Sequence, residues 1–294
     1  MLAYLCLALG VVGITWSALF VRWAGVSGPA SAFYRVLVAG VILLPWRAVR
    51  RDLAIPPARA AWLAIAGGVF FGFDLAFYNT AVLETSAATA VLLANIAPVV
   101  VGIGTWLVFR RRPRAAFWSG LALALAGCAA IVMADAGTRE AASPGNVTGD
   151  LLALTAAVFW ALYLMTTERV RPKIDTLTFS ALSIVGSVTT LLIVCLVLGV
   201  PLTGFSARSW ASLVGLGLIS QLAAYYAIAY ALGHLPATIM SVGLLAQFPL
   251  TALLAVPLLG EPLTASQIGG GLLVLAGIYV VNRPPRAAAG SKRA

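Results

Sequence analysis

The chain has 294 residues, of which 62% are hydrophobic and only 10% charged, with a formal net charge of +10. An ordinary soluble domain carries about 25% charged residues. This composition therefore excludes a water-soluble globule and a disordered polymer, and points to a protein dissolved in lipid. The three cysteines, Cys6, Cys128 and Cys195, sit in separate apolar segments, and the one histidine is His234. No disulfide framework or metal-ligand cluster is expected from them.

Ten apolar runs follow one another at Ala3–Val21, Ser31–Ala48, Ala60–Thr80, Ser86–Phe109, Ala115–Ala134, Gly149–Thr167, Leu177–Gly199, Ser209–Leu232, Ala237–Leu259 and Ala265–Asn282. A helix needs roughly 20 residues to span the hydrocarbon core. The runs have that length and are continuously apolar, not alternating, so they predict transmembrane helices and not barrel strands. The first run lacks a basic n-region and a small-residue cleavage site, and is read as a mature helix. Most connections are short turns rich in proline and glycine, such as Ser27-Gly28-Pro29 and Pro56-Pro57. The stretch 137–148 is longer and polar and reads as a linker. Residues 283–294 read as a disordered tail.

All Lys and Arg residues except Arg22, Arg35, Arg139 and Arg208 fall in four clusters. These follow the second, fourth, sixth and tenth runs, on one side of a ten-helix serpentine. That is the positive-inside asymmetry. It predicts both termini in the cytoplasm and the linker in the periplasm. Basic clusters so placed are topology signals that also meet anionic lipid, and nucleic-acid binding is not expected.

The two halves echo each other about 150 residues apart (compare Pro98 with Pro249, and Gly120 and Gly127 with Gly270 and Gly277). Five helices per half is an odd number, so the second half enters the membrane with opposite polarity. The predicted fold is an all-α membrane protein of ten transmembrane helices in two inverted five-helix repeats, 1–136 and 149–282. Such repeats are frequent in secondary transporters, with the substrate held where the halves meet.

The chain resembles the EamA family of the drug/metabolite transporter superfamily. The likeness rests on Trp16…Phe20, Phe33-Tyr34-Arg35, Tyr78-Asn79-Thr80-Ala81 with Ser86-Ala87-Ala88-Thr89, Trp160-Ala161-Leu162-Tyr163 and Gly260-Glu261-Pro262-Leu263-Thr264. Each motif alone is weak, but the five in order span residues 3–282. One departure is the Arg111-Arg112-Pro113 turn, which lacks the counterpart of Glu261. The resemblance implies an inner-membrane exporter of small metabolites with a central cavity between the repeats. Its aromatic content is similar to that of aromatic amino-acid exporters, so aromatic or apolar amino acids are the expected cargo. Other metabolites or drug-like amphiphiles remain open, as does a scaffold. A monomer with no cofactor is expected.

Asp74 lies inside the third run, with Tyr78 one turn on and Asn79 adjacent. Intramembrane carboxylates cost about 2.5–3.5 kcal/mol and usually face a cavity or a partner. Asp74 is a candidate ammonium contact or proton-coupling group. An ion pair with Arg35 and a lone hydrogen-bonded acid are the alternatives. Gln221 and Tyr225 are one turn apart in the eighth run. Asn95 and Gln247 stand beside Pro98 and Pro249, two candidate hinges, and their choice between site and helix–helix contact stays open. Trp16 and Phe20 share one helix face, Phe159 and Tyr163 another, with Trp160 beside them. The repeat predicts these aromatics opposite each other as walls for a planar solute, against ordinary packing as the alternative. No HExxH, GxSxG, phosphate loop or paired carboxylates within one segment are present, so an enzyme is not expected.

Overall fold

A computed structural model describes residues 1–50, 53–84, 87–138, 147–259 and 264–283. Ten helices in it are long and apolar enough to cross a membrane. They are α1 (Leu2–Ala24), α2 (Gly28–Val49), α3 (Ala58–Glu84), α5 (Ala115–Thr138), α6 (Val147–Val170), α7 (Thr176–Val197) and α10 (Ala265–Asn282), with three interrupted spans between them. The fourth span, α4, consists of Ala87–Ala94 and Ala97–Phe109. The eighth, α8, runs through Ala207–Gly215, a π-helical stretch Leu216–Tyr225 and Tyr226–Leu232. The ninth, α9, joins Ala237–Gly243 to Gln247–Leu259 through a 3₁₀ turn at Leu244–Ala246.

Local chemistry sets the helix ends. Gly25 stops α1 in the left-handed region at φ 59°, which costs glycine little. Asp175 accepts from the Thr178 amide at 2.8 Å to start α7. Thr264 and Gln267 form a reciprocal capping box at the start of α10. The helix α5 continues to Thr138 and α6 begins at Val147, so the described ends of the expected 137–148 linker are helical. Residues 139–146, the 260–263 turn motif and the tail from 284 lie outside the described residues.

The two halves pack as an inverted pair. In both halves the first helix lies against the third helix of the other half: α1 against α8, and α6 against α3. The fifth helices, α5 and α10, lie against each other with reciprocal glycines. A Cβ on Gly120 would fall 2.6 Å from the Gly277 carbonyl oxygen, and one on Gly277 would fall 2.4 Å from that of Gly120. The Gly68–Gly72 pair brings α3 onto α7, where a Cβ on Gly68 would meet the Ser183 carbonyl at 1.9 Å. Small residues thus let backbones approach where lipid supplies no hydrophobic drive.

The main buried core joins α2, α3, α6, α7 and α8 through residues such as Val36, Leu43, Phe71, Leu164, Phe179 and Ile228. A second cluster unites α5, α9 and α10. Cys128 and Cys195 are buried and Cys6 is partly buried, all with free thiols.

Not every basic residue near a helix end is a solvated topology signal. Arg171 is only 7% exposed. It donates to the carbonyls of Ala229 and Ile174 and to the Thr176 hydroxyl, fastening the α6–α7 turn to α8.

Candidate functional site

The site begins with Arg35 on α2. Arg35 and Asp74 each lie about three residues, or roughly 5 Å at 1.5 Å per residue, past the midpoint of their helix on the side away from the termini. Arg35 Nε donates to Gln221 Oε1 at 2.8 Å, and Nη1 donates to Ser17 Oγ at 3.1 Å. The Tyr225 ring lies 5.0 Å from Cζ, within cation–π range. One guanidinium therefore ties α1, α2 and α8 together across the halves.

Asp74 is half-buried on α3. It stands within reach of the Arg35 charge, and Tyr78 and Tyr225 are within reach of its own. The expected Arg35–Asp74 pair takes a long-range form, because the hydrogen bonds of the guanidinium go to Gln221 and Ser17 instead.

Gln221 and Tyr225 belong to the π-helical stretch of α8. Wide turns of this kind often accompany functional positions. Gly217 in the same stretch permits the approach to α2: a Cβ there would sit 2.5 Å from Val38 Cβ and 3.2 Å from the Arg35 carbonyl oxygen.

Toward the terminal side of Arg35, aromatic rings gather around Phe71, which is 1% exposed. Its ring centroid is 4.7 Å from that of Tyr225, 5.1 Å from Tyr163 and 6.1 Å from Trp160. Trp160 stacks on Tyr163 at 5.4 Å and meets Tyr225 edge-on at 6.0 Å. A small cleft of about 20 Å³ lies here, lined by Phe71, Tyr163, Gln221 and Tyr225 and by Ser180, Ser183 and Ser187 of α7. That is room for about one water, well below the roughly 300–1,000 Å³ of usual small-molecule sites, so the rings close on one another here and a solute enters only where they part. The Ser187 hydroxyl is spoken for by backbone carbonyls, those of Gly68 at 2.8 Å and Ser183 at 2.9 Å.

Other sequence-predicted residues fall elsewhere. Phe159 faces away from the cleft and packs with Phe70, Phe73 and Phe77 at 5.2–6.1 Å. Trp16 and Phe20 form a row with Trp23 along α1, at 6.3 and 5.8 Å. Phe20 covers Gly215 of α8. The expectation that the α1 and α6 aromatics oppose each other is corrected, since each set faces the third helix of the other half.

Asn79 donates to the Gly28 carbonyl at 2.9 Å and holds the α1–α2 turn. Asn95 donates to the Val91 carbonyl at 2.6 Å at the break in α4. Gln247 is half-buried at the start of the second piece of α9. Pro98 and Pro249 do not kink a helix interior. Each lies in the first turn of a new helical piece, where a missing amide hydrogen leaves no gap in the ladder.

Phe71, Ser17 and the α7 serines escaped sequence reasoning. The serines had a legible signal, since positions 180, 183 and 187 share one helix face in an otherwise apolar run. Among the described residues, no group of three His, Cys, Asp or Glu side chains could hold a metal ion.

Comparison with known proteins places these features in context. The model of the EamA-like transporter family matches residues 1–133 and 147–283. The chain is similar to the uncharacterized transporter YwfM of Bacillus subtilis (strain 168), with 30% identity over 257 residues covering 86% of this chain and 83% of the relative. It is also similar to an uncharacterized transporter of Archaeoglobus fulgidus, 29% identical over 253 residues, covering 85% of this chain and 86% of the relative. A solved crystal structure overlays with a TM-score of 0.80 at 21% identity, covering 95% of this chain and 96% of its own, a likeness of fold.

Proposed function

The chain belongs to the EamA-like transporter family, and from that premise we propose that it exports aromatic or apolar amino acids from the cytoplasm by alternating access through the central cleft. The observation that carries this reading is the ring cluster of Phe71, Trp160, Tyr163 and Tyr225, which abuts Arg35 and stands within reach of the Asp74 charge. Aromatic walls suit a planar or apolar side chain through area burial and offset ring contacts. Asp74 is the group for the ammonium, and Gln221 and Tyr225 orient the solute. The two repeats, 1–136 and 149–282, rock about the breaks in α4 and α9.

The protein works as a monomer in the inner membrane. The four basic clusters support cytoplasmic termini and a periplasmic 137–148 linker. Its role is transport without a chemical step, and it needs no cofactor.

The test is counterflow in proteoliposomes made from the purified chain, screened against the twenty amino acids, nucleobases, nucleosides and sugars. Saturable uptake competed best by aromatic and apolar amino acids is expected. Competition no better than that by sugars or nucleosides defeats the amino-acid reading.

A further inference from the structure

Arg35 is 7% exposed, and its Nη2 is buried without a hydrogen-bond partner. The other two nitrogens are held by neutral oxygens, those of Gln221 at 2.8 Å and Ser17 at 3.1 Å. Tyr225, also neutral, meets the guanidinium at 5.0 Å from its ring, so among the described residues a positive charge sits inside the bundle with no anion in contact. Isolated buried charge is costly, and a protein that keeps one usually supplies a counter-charge. Asp74 supplies only a distant one.

The covalent shape of the guanidinium says what fits. Nη2 is the corner shared by its two bidentate edges, one with Nη1 and one with Nε. The bond from Nη1 to Ser17 is the longer of the two and goes to a neutral hydroxyl. A carboxylate displacing Ser17 would gain two parallel charge-assisted bonds, from Nη1 and Nη2. We propose that Arg35 docks the carboxylate of the transported solute by its Nη1–Nη2 edge.

The remainder of the solute follows from the neighbours. Gln221 and Tyr225 both touch Arg35, and both line the aromatic cleft with Phe71 and Tyr163. The ligand is a small carboxylate with an apolar or aromatic body. An added ammonium strengthens it, because Asp74 lies in the field of the same arginine. This inference rests on the transport reading of the cleft and not on amino acids being its cargo.

The experiment is ligand-dependent thermal unfolding of the purified full chain in detergent. The probes are L-phenylalanine, 3-phenylpropionate, phenylalaninamide, 2-phenylethylamine and inorganic phosphate. The two carboxylates are expected to stabilise the wild type. The amide and the amine should need at least about tenfold higher concentration for the same shift, and phosphate should give none.

Arg35→Gln should lose the carboxylate response. Ser17→Asp keeps the test open if Arg35→Gln does not fold, because it gives the guanidinium an internal carboxylate. It should unfold at a higher temperature than wild type and no longer respond to added carboxylates. Equal responses to acid and amide, or to acid and phosphate, overturn the proposal. So does an undiminished carboxylate response in Ser17→Asp, or no response to any carboxylate in the wild type. Carboxylate binding without amino-acid counterflow would sink the proposed cargo and leave the docking role of Arg35 standing.

Discussion

Gly127 on α5 and Gly270 on α10 occupy each other's side-chain space. A Cβ on Gly127 would lie 2.4 Å from the Gly270 carbonyl oxygen, and a Cβ on Gly270 would lie 2.6 Å from that of Gly127. Gly120 and Gly277 repeat the relationship two turns away. Reciprocity of this kind is what an inverted repeat produces when its fifth helices meet on the pseudo-axis.

Gly127→Ala and Gly270→Ala should each lower stability by about 1–3 kcal/mol, because the clash is with backbone and cannot be relieved by a rotamer change. Gly269→Ala is the control, since a Cβ there meets nothing within 4 Å. Thermal unfolding in detergent reads the difference. The two costly changes should combine with less than their summed effect, as neighbours at one contact do. Three equal midpoints would show that α5 and α10 are not held by this contact.

These glycines also mark how far the sequence carries. The repeat and the matching glycine pairs were legible, because spacing along the chain preserves them. The partners of Trp16 and Phe20 were not. Which helix of the opposite half each one meets depends on packing, and the cross-pairing of α1 with α8 leaves no periodic trace. The π-helical stretch around Gln221 was silent for a similar reason, since one widened turn within Leu216–Tyr225 does not alter an apolar pattern. Phe71 is one apolar residue among many in its run, yet it forms the hub of the ring cluster. Asp74 was legible because a carboxylate in an apolar run is rare enough to need a reason.

Asp74→Asn keeps the volume and removes the charge. If Asp74 receives the ammonium of the solute, uptake in proteoliposomes should fall by about tenfold or more. Stability should hold or rise, because a neutral amide costs less inside the bundle than a carboxylate. Opposite movement of activity and stability is the signature. Transport at the wild-type rate, with unchanged pH dependence, would remove Asp74 from the site.

Arg171→Ala tests the clasp between the α6–α7 turn and α8. The truncation leaves the carbonyls of Ala229 and Ile174 and the Thr176 hydroxyl without their donor. A loss of about 2–4 kcal/mol is expected from the stranded groups. Arg169→Ala, at an exposed neighbour in the same cluster, should change stability by less than about 0.5 kcal/mol. Equal effects in thermal unfolding would mean that the Arg171 bonds contribute nothing net.

Pro98 and Pro249 each stand just after a break, at Asn95–Ile96 in α4 and at Leu244–Ala246 in α9. In the first turn of a helix a proline satisfies the local geometry, and its missing amide stops the preceding piece from running straight through. Replacing it with alanine restores a donor and lets two pieces fuse into one continuous helix. If the breaks are the hinges of alternating access, Pro98→Ala and Pro249→Ala should slow counterflow several-fold while leaving ligand-induced thermal stabilisation unchanged. The double variant should be slower than either single one, because the two hinges lie in corresponding helices of the opposed halves. A parallel loss of binding and rate would place these prolines in the architecture of the cleft instead of in its motion.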